Sequence, residues 1–357
     1  MRNPKSPVLL ITTLLLLVAV GCNNDGTTDT NVETEAPAIA VTEPPEVPTQ
    51  PQSESDPTEP ALEEPTAPPA TEAASATEVP AQQPEQPSID ITPCTEVVCV
   101  ESGSFWLTRP IDPAGRVTID PSYRFGDYRQ STQLTHRGVD FLNSTGTSVI
   151  AAADGIVVVA GDDLNTPYGP RKDYYGKLVI LEHNFPGLDQ PLFTLYSQLS
   201  DVLVEEGQSV AAGEEIALVG MTGAVPGSTL HFEVRLGENS YQTTRNPELW
   251  LQLLSDERGQ QLGALAGSVI NAQGDYEPVE NIVIEQLAGP GLPAIDQFYL
   301  TTYEKRELRG QSPWNESFAL SDLPSGDYQI TFMLNGLQQM VVTVEPGMLT
   351  LATFVIE

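Results

Sequence analysis

From about residue 91 onward the chain is written in short apolar runs punctuated by glycine, and no long stretch of 3.6-residue periodicity competes with them. The first set comprises Ser148 to Ala153, Gly155 to Ala160, Lys177 to Leu181, Phe193 to Tyr196, Glu215 to Val219 and Leu230 to Leu236. Short alternating runs bounded by turn residues form strands, not helices. An all-β region of mainly antiparallel sheet is therefore expected over residues 91–256. The second set comprises Leu265 to Ile270, Ile282 to Leu287, Gln297 to Tyr303, Glu316 to Leu320, Asp327 to Leu334, Gln338 to Val344 and Leu349 to Ile356. Seven such strands predict a β-sandwich over residues 258–357.

The first 90 residues cannot fold by that logic. Arg2 and Lys5 precede an apolar stretch from Val8 to Val20 that ends in Gly21-Cys22, the pattern of a signal peptide over residues 1–22. A membrane-spanning helix needs roughly 20 apolar residues, more than this stretch supplies. Ala19-Val20-Gly21-Cys22 resembles the bacterial lipobox, which implies cleavage before Cys22 and a lipid anchor on it. An ordinary secretory signal cut nearby is the alternative. Residues 23–90 hold 15 Asp or Glu and 13 Pro but no Lys, Arg or aromatic residue. Such a segment has too little apolar surface to order itself and is expected to be a disordered tether. Its reach as a flexible coil is about 45 Å.

The formal net charge is −33, and no Lys/Arg cluster interrupts it. That balance argues against nucleic acid and against electrostatic docking on anionic lipid, leaving the lipid anchor as the expected membrane attachment. In an oxidising compartment Cys94 and Cys99 are expected to form a short-loop disulfide.

Three histidines occur, two of them in His136-Arg137-Gly138-Val139-Asp140 and Leu230-His231-Phe232-Glu233-Val234. Residues four apart share a side in a strand or a helix, so His136 and Asp140 face together. In the second segment Leu230, Phe232 and Val234 alternate toward a core while Thr229, His231 and Glu233 take the opposite face. Two imidazoles and a carboxylate make the three-ligand set of a zinc site with an open position. Histidines satisfied structurally by hydrogen bonds are the competing reading.

The run from His136 to Trp250 resembles the lysostaphin-type zinc peptidase family, which cleaves peptide cross-links of bacterial cell walls. The resemblance is carried by His136 to Phe141 with Gly146-Thr147, Ala151 to Gly155, Tyr175 to His183, Thr194-Leu195-Tyr196, Glu206 to Val210, Thr222-Gly223, His231 to Arg235 and Asn246-Pro247. It implies zinc as cofactor and His136, Asp140 and His231 as its ligands. Two positions depart from the family. Gln198 and Thr229 stand where it has its catalytic histidines. An amide has no titratable proton and a threonine hydroxyl is no base near neutral pH. General acid–base help is worth about 10² to 10⁴ in rate. By residue type alone Glu233, which is also a cleft candidate, and Glu182 are candidates for a substitute base; a supporting or surface carboxylate is the reading preferred for each. His183 matches a histidine common in the family's central hairpin, which implies a structural or cleft-lining role.

The resemblance implies an extracytoplasmic, lipid-anchored bacterial protein whose impaired site serves binding to peptidoglycan or to a cell-wall hydrolase. An active zinc endopeptidase is the alternative. Ser317 to Tyr328 resembles the carboxypeptidase regulatory-like, immunoglobulin-like module, which implies a spacer or adhesive role. Trp314 and Tyr328 are read as structural aromatics before sugar contacts.

Overall fold

The computed structural model describes residues 93–129, 134–289, 292–303, 308 and 310–357. The expected leader, the expected anchor at Cys22 and the expected tether lie outside the described residues. The first region contains β1 (Val98–Glu101), β2 (Tyr128–Arg129), β3 (Leu134–Thr135), β4 (Val139–Phe141), β5 (Ser148–Ile150) and β6 (Gly155–Asp162). It continues with β7 (Lys177–His183), β8 (Leu192–Val202), β9 (Ser209–Val210), β10 (Glu215–Val219), β11 (Leu230–Leu236) and β12 (Thr244–Arg245). The second contains β13 (Gly263–Asn271), β14 (Ile282–Leu287), β15 (Ala294–Leu300), β16 (Phe318–Leu323), β17 (Gly326–Met333), β18 (Leu337–Val344) and β19 (Leu349–Ile356). Apart from two short 3-10 turns, at Tyr241–Thr243 and Pro247–Leu249, the regular structure of the described residues is strand, as the periodicity predicts.

The large sheet runs β12-β11-β8-β7-β6-β9, with β4 also on β11, and β10 pairing β5 and β8. Every pairing in it is antiparallel. Alternation drives its packing: Leu230, Phe232 and Val234 of β11 lie in the main apolar core with Val179 and Leu181 of β7. The register sets His231 opposite Asp140 on β4 and opposite Ser197 on β8. The β4–β11 pairing thus brings together candidate ligands that are 91 residues apart.

The C-terminal region is a sandwich of two four-stranded sheets, β1-β19-β13-β16 and β15-β14-β17-β18. One of its eight strands comes from outside residues 258–357: Val98–Glu101, within the segment expected to belong to the first region, pairs along β19. Cys94 and Cys99 are joined at the start of that strand, with Cα atoms 5.7 Å apart. The pairing of β13 with β19 is parallel.

Leu265, Leu320 and Ala352 face the sandwich core, whereas Ala264, Ala266, Ala319, Leu349 and Leu351 belong to the core of the first region. This sheet is therefore buried on both faces, which its unbroken apolar runs favour over half-polar alternation. Trp314 joins the same seam and Tyr328 is buried with its hydroxyl on Pro324 O at 2.8 Å, so both are structural. At the edge of the seam Arg109 donates to both carboxylate oxygens of Asp322, at 2.8 and 2.7 Å.

Candidate metal centre and cleft

Three ligand atoms converge where β4, β11 and the turn before β4 meet. His136 Nε2 lies 3.2 Å from His231 Nδ1 and 3.3 Å from Asp140 Oδ1, and the last two are 2.9 Å apart. Zinc bonds of about 2.0–2.1 Å at tetrahedral angles place ligand atoms about 3.4 Å apart, so the triad fits the ion with small adjustments. Gly138 makes the approach possible. A Cβ there would sit 2.4 Å from Phe232 O and 2.8 Å from His231 Cε1.

The outer ring nitrogens determine which atoms face the centre. His136 Nδ1 lies 3.1 Å from Arg124 O, a carbonyl that can only accept, so Nδ1 carries the proton and Nε2 presents its lone pair. His231 Nε2 donates to Glu233 Oε1 at 3.2 Å, leaving Nδ1 inward. Imidazole ligands of metals are characteristically oriented by such oxygen acceptors. Burial would raise the Asp140 carboxyl, but the charges and hydrogen bonds of His136 and His231 more than reverse it and hold it below the usual range. Burial disfavours charge on His231, yet its bonds to Asp140 and Glu233 prevail and raise its pKa to about 9. The centre thus demands a cation, whether a proton on Nδ1 or a metal.

Beneath His231 lies a buried network that sequence reading found only in part. Glu233 accepts from the Tyr175 hydroxyl and from Arg235 Nε at 2.8 Å, and Arg235 also donates to Tyr168 O at 3.0 Å and to Asn239 Oδ1 at 2.9 Å. Burial would raise the Glu233 carboxyl, but Arg235 first, then His231 and Tyr175, bring it down to about 2. Arg235 was legible, since strand alternation puts it on the face of His231 and Glu233. Tyr175 and the stacking of Tyr123 on His136, with ring centroids 3.9 Å apart, depend on loops that carry no such period.

A cleft of about 220 Å³ opens over the triad, lined by His136, Asp140 and His231 together with Tyr123, Tyr174, Arg171, Gln198 and the Ala224-Val225-Pro226 turn. Gln198 enters it because it is the extra residue of a bulge: Leu178 pairs with Ser197 and Lys177 with Leu199. Its φ of 67° re-aims the side chain, and its amide N–H is tied to Tyr175 O at 2.9 Å. Gln198 Oε1 is buried in this wall without a partner. Burial, then the neighbouring Tyr241 and Glu233, push the Tyr174 phenol well above its ordinary range, so it stays a donor.

The other sequence candidates lie elsewhere. Thr229 is buried and its hydroxyl donates to Phe141 O at 3.1 Å, outside the cleft lining. Glu233 was a cleft candidate but is completely buried beneath His231, and Glu182, at the Phe193 register position of β8, lines no part of the cleft. His183, the other cleft candidate, does not reach it either. It shares the parity of Val179 and Leu181, which points it into the core, where it bonds Asp154 O at 2.8 Å and Thr194 Oγ1 at 2.7 Å.

Comparison with known proteins places this geometry. Residues 134–243 match the family described as Peptidase family M23. Murein hydrolase activator NlpD of Escherichia coli strain K12 is 36% identical over 110 residues, which cover 31% of this chain and 25% of that protein. Peptidoglycan DD-endopeptidase ShyA of Vibrio cholerae is 37% identical over 99 residues, covering 28% of this chain and 20% of that one. The chain thus spans a quarter or less of the length of these relatives. Among solved structures, the catalytic domain of the antimicrobial peptidase lysostaphin from Staphylococcus simulans has 30% identity and a TM-score of 0.30, covering 35% of this chain and 86% of that one. Over residues 134–243 the chain carries a domain that matches Peptidase family M23.

Proposed function

We propose that this protein holds zinc at His136, Asp140 and His231 and uses the cleft above it to bind wall peptides or a wall hydrolase, with hydrolysis itself impaired. One observation carries the reading: apart from the three ligand residues, the described lining of the cleft contains no carboxylate and no imidazole. Zinc, when bound, supplies Lewis-acid polarisation of a carbonyl and acidifies a water. The chain's own residues then orient and bind. Tyr174 offers a phenol donor, Gln198 an amide donor and a buried acceptor without a partner, and Arg171 a cation at the rim. Glu233 is unsuited to be a re-sited base, because its pairing with Arg235 makes the carboxylate only weakly basic and it is buried outside the cleft lining.

The relatives support a role at the cell wall from both directions, since one is named a hydrolase activator and another an endopeptidase. An extracytoplasmic, Cys22-anchored location belongs to the same proposal. The test incubates the zinc-loaded protein with purified peptidoglycan, beside a Gln198→His, Thr229→His double variant. Zinc-retaining wild type that binds sacculi or stimulates a wall hydrolase without releasing cross-link peptides supports the reading, as does metal-dependent release gained by the variant. Chelator-sensitive release by the wild type at the rate of an active endopeptidase overturns it.

A further inference from the structure

The loop that grips His136 is itself gripped by the C-terminal sandwich. Four contacts from residues 123–127 hold the ligand: the Tyr123 ring stacks on it, Arg124 O accepts from its Nδ1, Gly126 N donates to its carbonyl at 2.9 Å and Asp127 O accepts from its amide at 2.8 Å. From the other side, Phe125 sits in a small separate core with Tyr303 and Leu308 of the sandwich, its ring edge-on to Tyr303 at 5.1 Å. Gly126, at φ 90°, passes so close that a Cβ would lie 2.8 Å from Tyr303 Cδ1. Arg124 is anchored on Glu248 at 2.8 Å, and the same Glu248 oxygen accepts from the Ser321 amide and hydroxyl at 2.9 and 3.0 Å.

We infer that Tyr303 is a positioning residue for the metal centre, through which the C-terminal sandwich sets the orientation of His136 and with it the affinity for zinc. Tyr303 is buried, and its hydroxyl accepts from Asn246 Nδ2 at 2.8 Å while its ring braces Phe125 and Gly126. It therefore braces the loop at Phe125 and Gly126 and is tied from behind to Asn246, the side chain that caps the turn at Pro247–Leu249. If Tyr303 is cut back, the turn of Arg124 to Asp127 loses its backstop, and the carbonyl that fixes the His136 tautomer is free to shift. The inference rests on the zinc-binding reading of the triad, but its primary readout does not need metal.

With only three histidines in the chain, selective ¹⁵N-histidine labelling resolves each imidazole of the full-length protein. In metal-free protein, wild type and Tyr303→Phe, which keeps the ring against Phe125, are expected to show His136 as a single Nδ1–H tautomer. Tyr303→Ala is expected to show a mixture, together with a loss of zinc affinity of about 10- to 100-fold, the range for residues that orient metal ligands indirectly. If Tyr303→Ala does not fold cooperatively, Tyr303→Leu, which retains most of the apolar volume, is judged by the same criteria. A wild-type His136 signal with zinc affinity within twofold in the truncated variant overturns the inference, whatever its melting temperature. If wild type binds no zinc, the functional reading fails, and the tautomer comparison still decides whether Tyr303 positions His136.

Discussion

His231 Nε2 and Glu233 Oε1 lie 3.2 Å apart on one face of β11, and that bond joins the His136–Asp140–His231 triad to the buried Glu233–Arg235 ion pair. The neighbour beneath the ligand is therefore a charge that water cannot reach, and the ligand's orientation depends on it.

Replacing Glu233 by Gln is expected to act on both. Removing one partner of a buried pair costs about 3–5 kcal/mol, because the Arg235 guanidinium is left uncompensated. Zinc affinity should fall about 10- to 100-fold, because the single amide oxygen of Gln cannot accept from both His231 and Arg235 as the carboxylate does. Thermal unfolding and competition with a chromophoric chelator measure the two effects separately.

Gly138→Ala tests the close passage between the two ligand segments. The new methyl would meet Phe232 O and the His231 ring at 2.4 and 2.8 Å, and both are held from behind. Overpacking of this kind costs about 1–3 kcal/mol. Zinc content after dialysis should drop more than in a control alanine at Gly227, whose surroundings are open and whose backbone is not left-handed.

His183 should make the fold acid-sensitive. Burial pushes its imidazole down to about 4, against an ordinary value of 6.5. Between those values the unfolded chain binds the proton and the folded one does not, so stability is full above pH 6.5 and is lost as pH falls toward 4. The full effect is about 3 kcal/mol. His183→Gln should flatten that limb of a melting-temperature profile.

Glu316 should act in the opposite direction. Burial lifts its carboxyl to about 8 from 4.5, with one oxygen accepting from the Gln311 amide at 2.7 Å and the other unpartnered. Here the folded state holds the proton, so stability is full below pH 4.5 and is lost as pH rises through 8. The magnitude is on the order of 4–5 kcal/mol, and Glu316→Gln should raise the melting temperature at pH 8.5 relative to wild type while changing it little at pH 4.5.

The parts legible in advance are those governed by strand alternation. Leu230, Phe232 and Val234 had to face one way and His231 and Glu233 the other, and the pleat delivers that. The same parity, applied to Val179, Leu181 and His183, would have placed His183 in the core instead of the cleft. Gln198 escapes parity because the bulge inserts one residue, so its aim into the cleft follows from the register on β7 and not from its own neighbours. The loop of Tyr123 to Asp127 has no period to read, and its partner Tyr303 lies nearly 180 positions away in the other region. Nor does alternation say which sheet a lone short strand will join, as Val98–Glu101 shows.

That strand reverses the apparent hierarchy of the two regions. Because β1 precedes the M23 segment and β13 to β19 follow it, yet all share one sandwich, the zinc domain is an insert and the sandwich is its host. A cut at residue 257 would strip the host of seven strands and leave the eighth with no ladder to join. The smallest unit to express, graft or exchange between proteins accordingly begins before Cys94 and ends after Ile356.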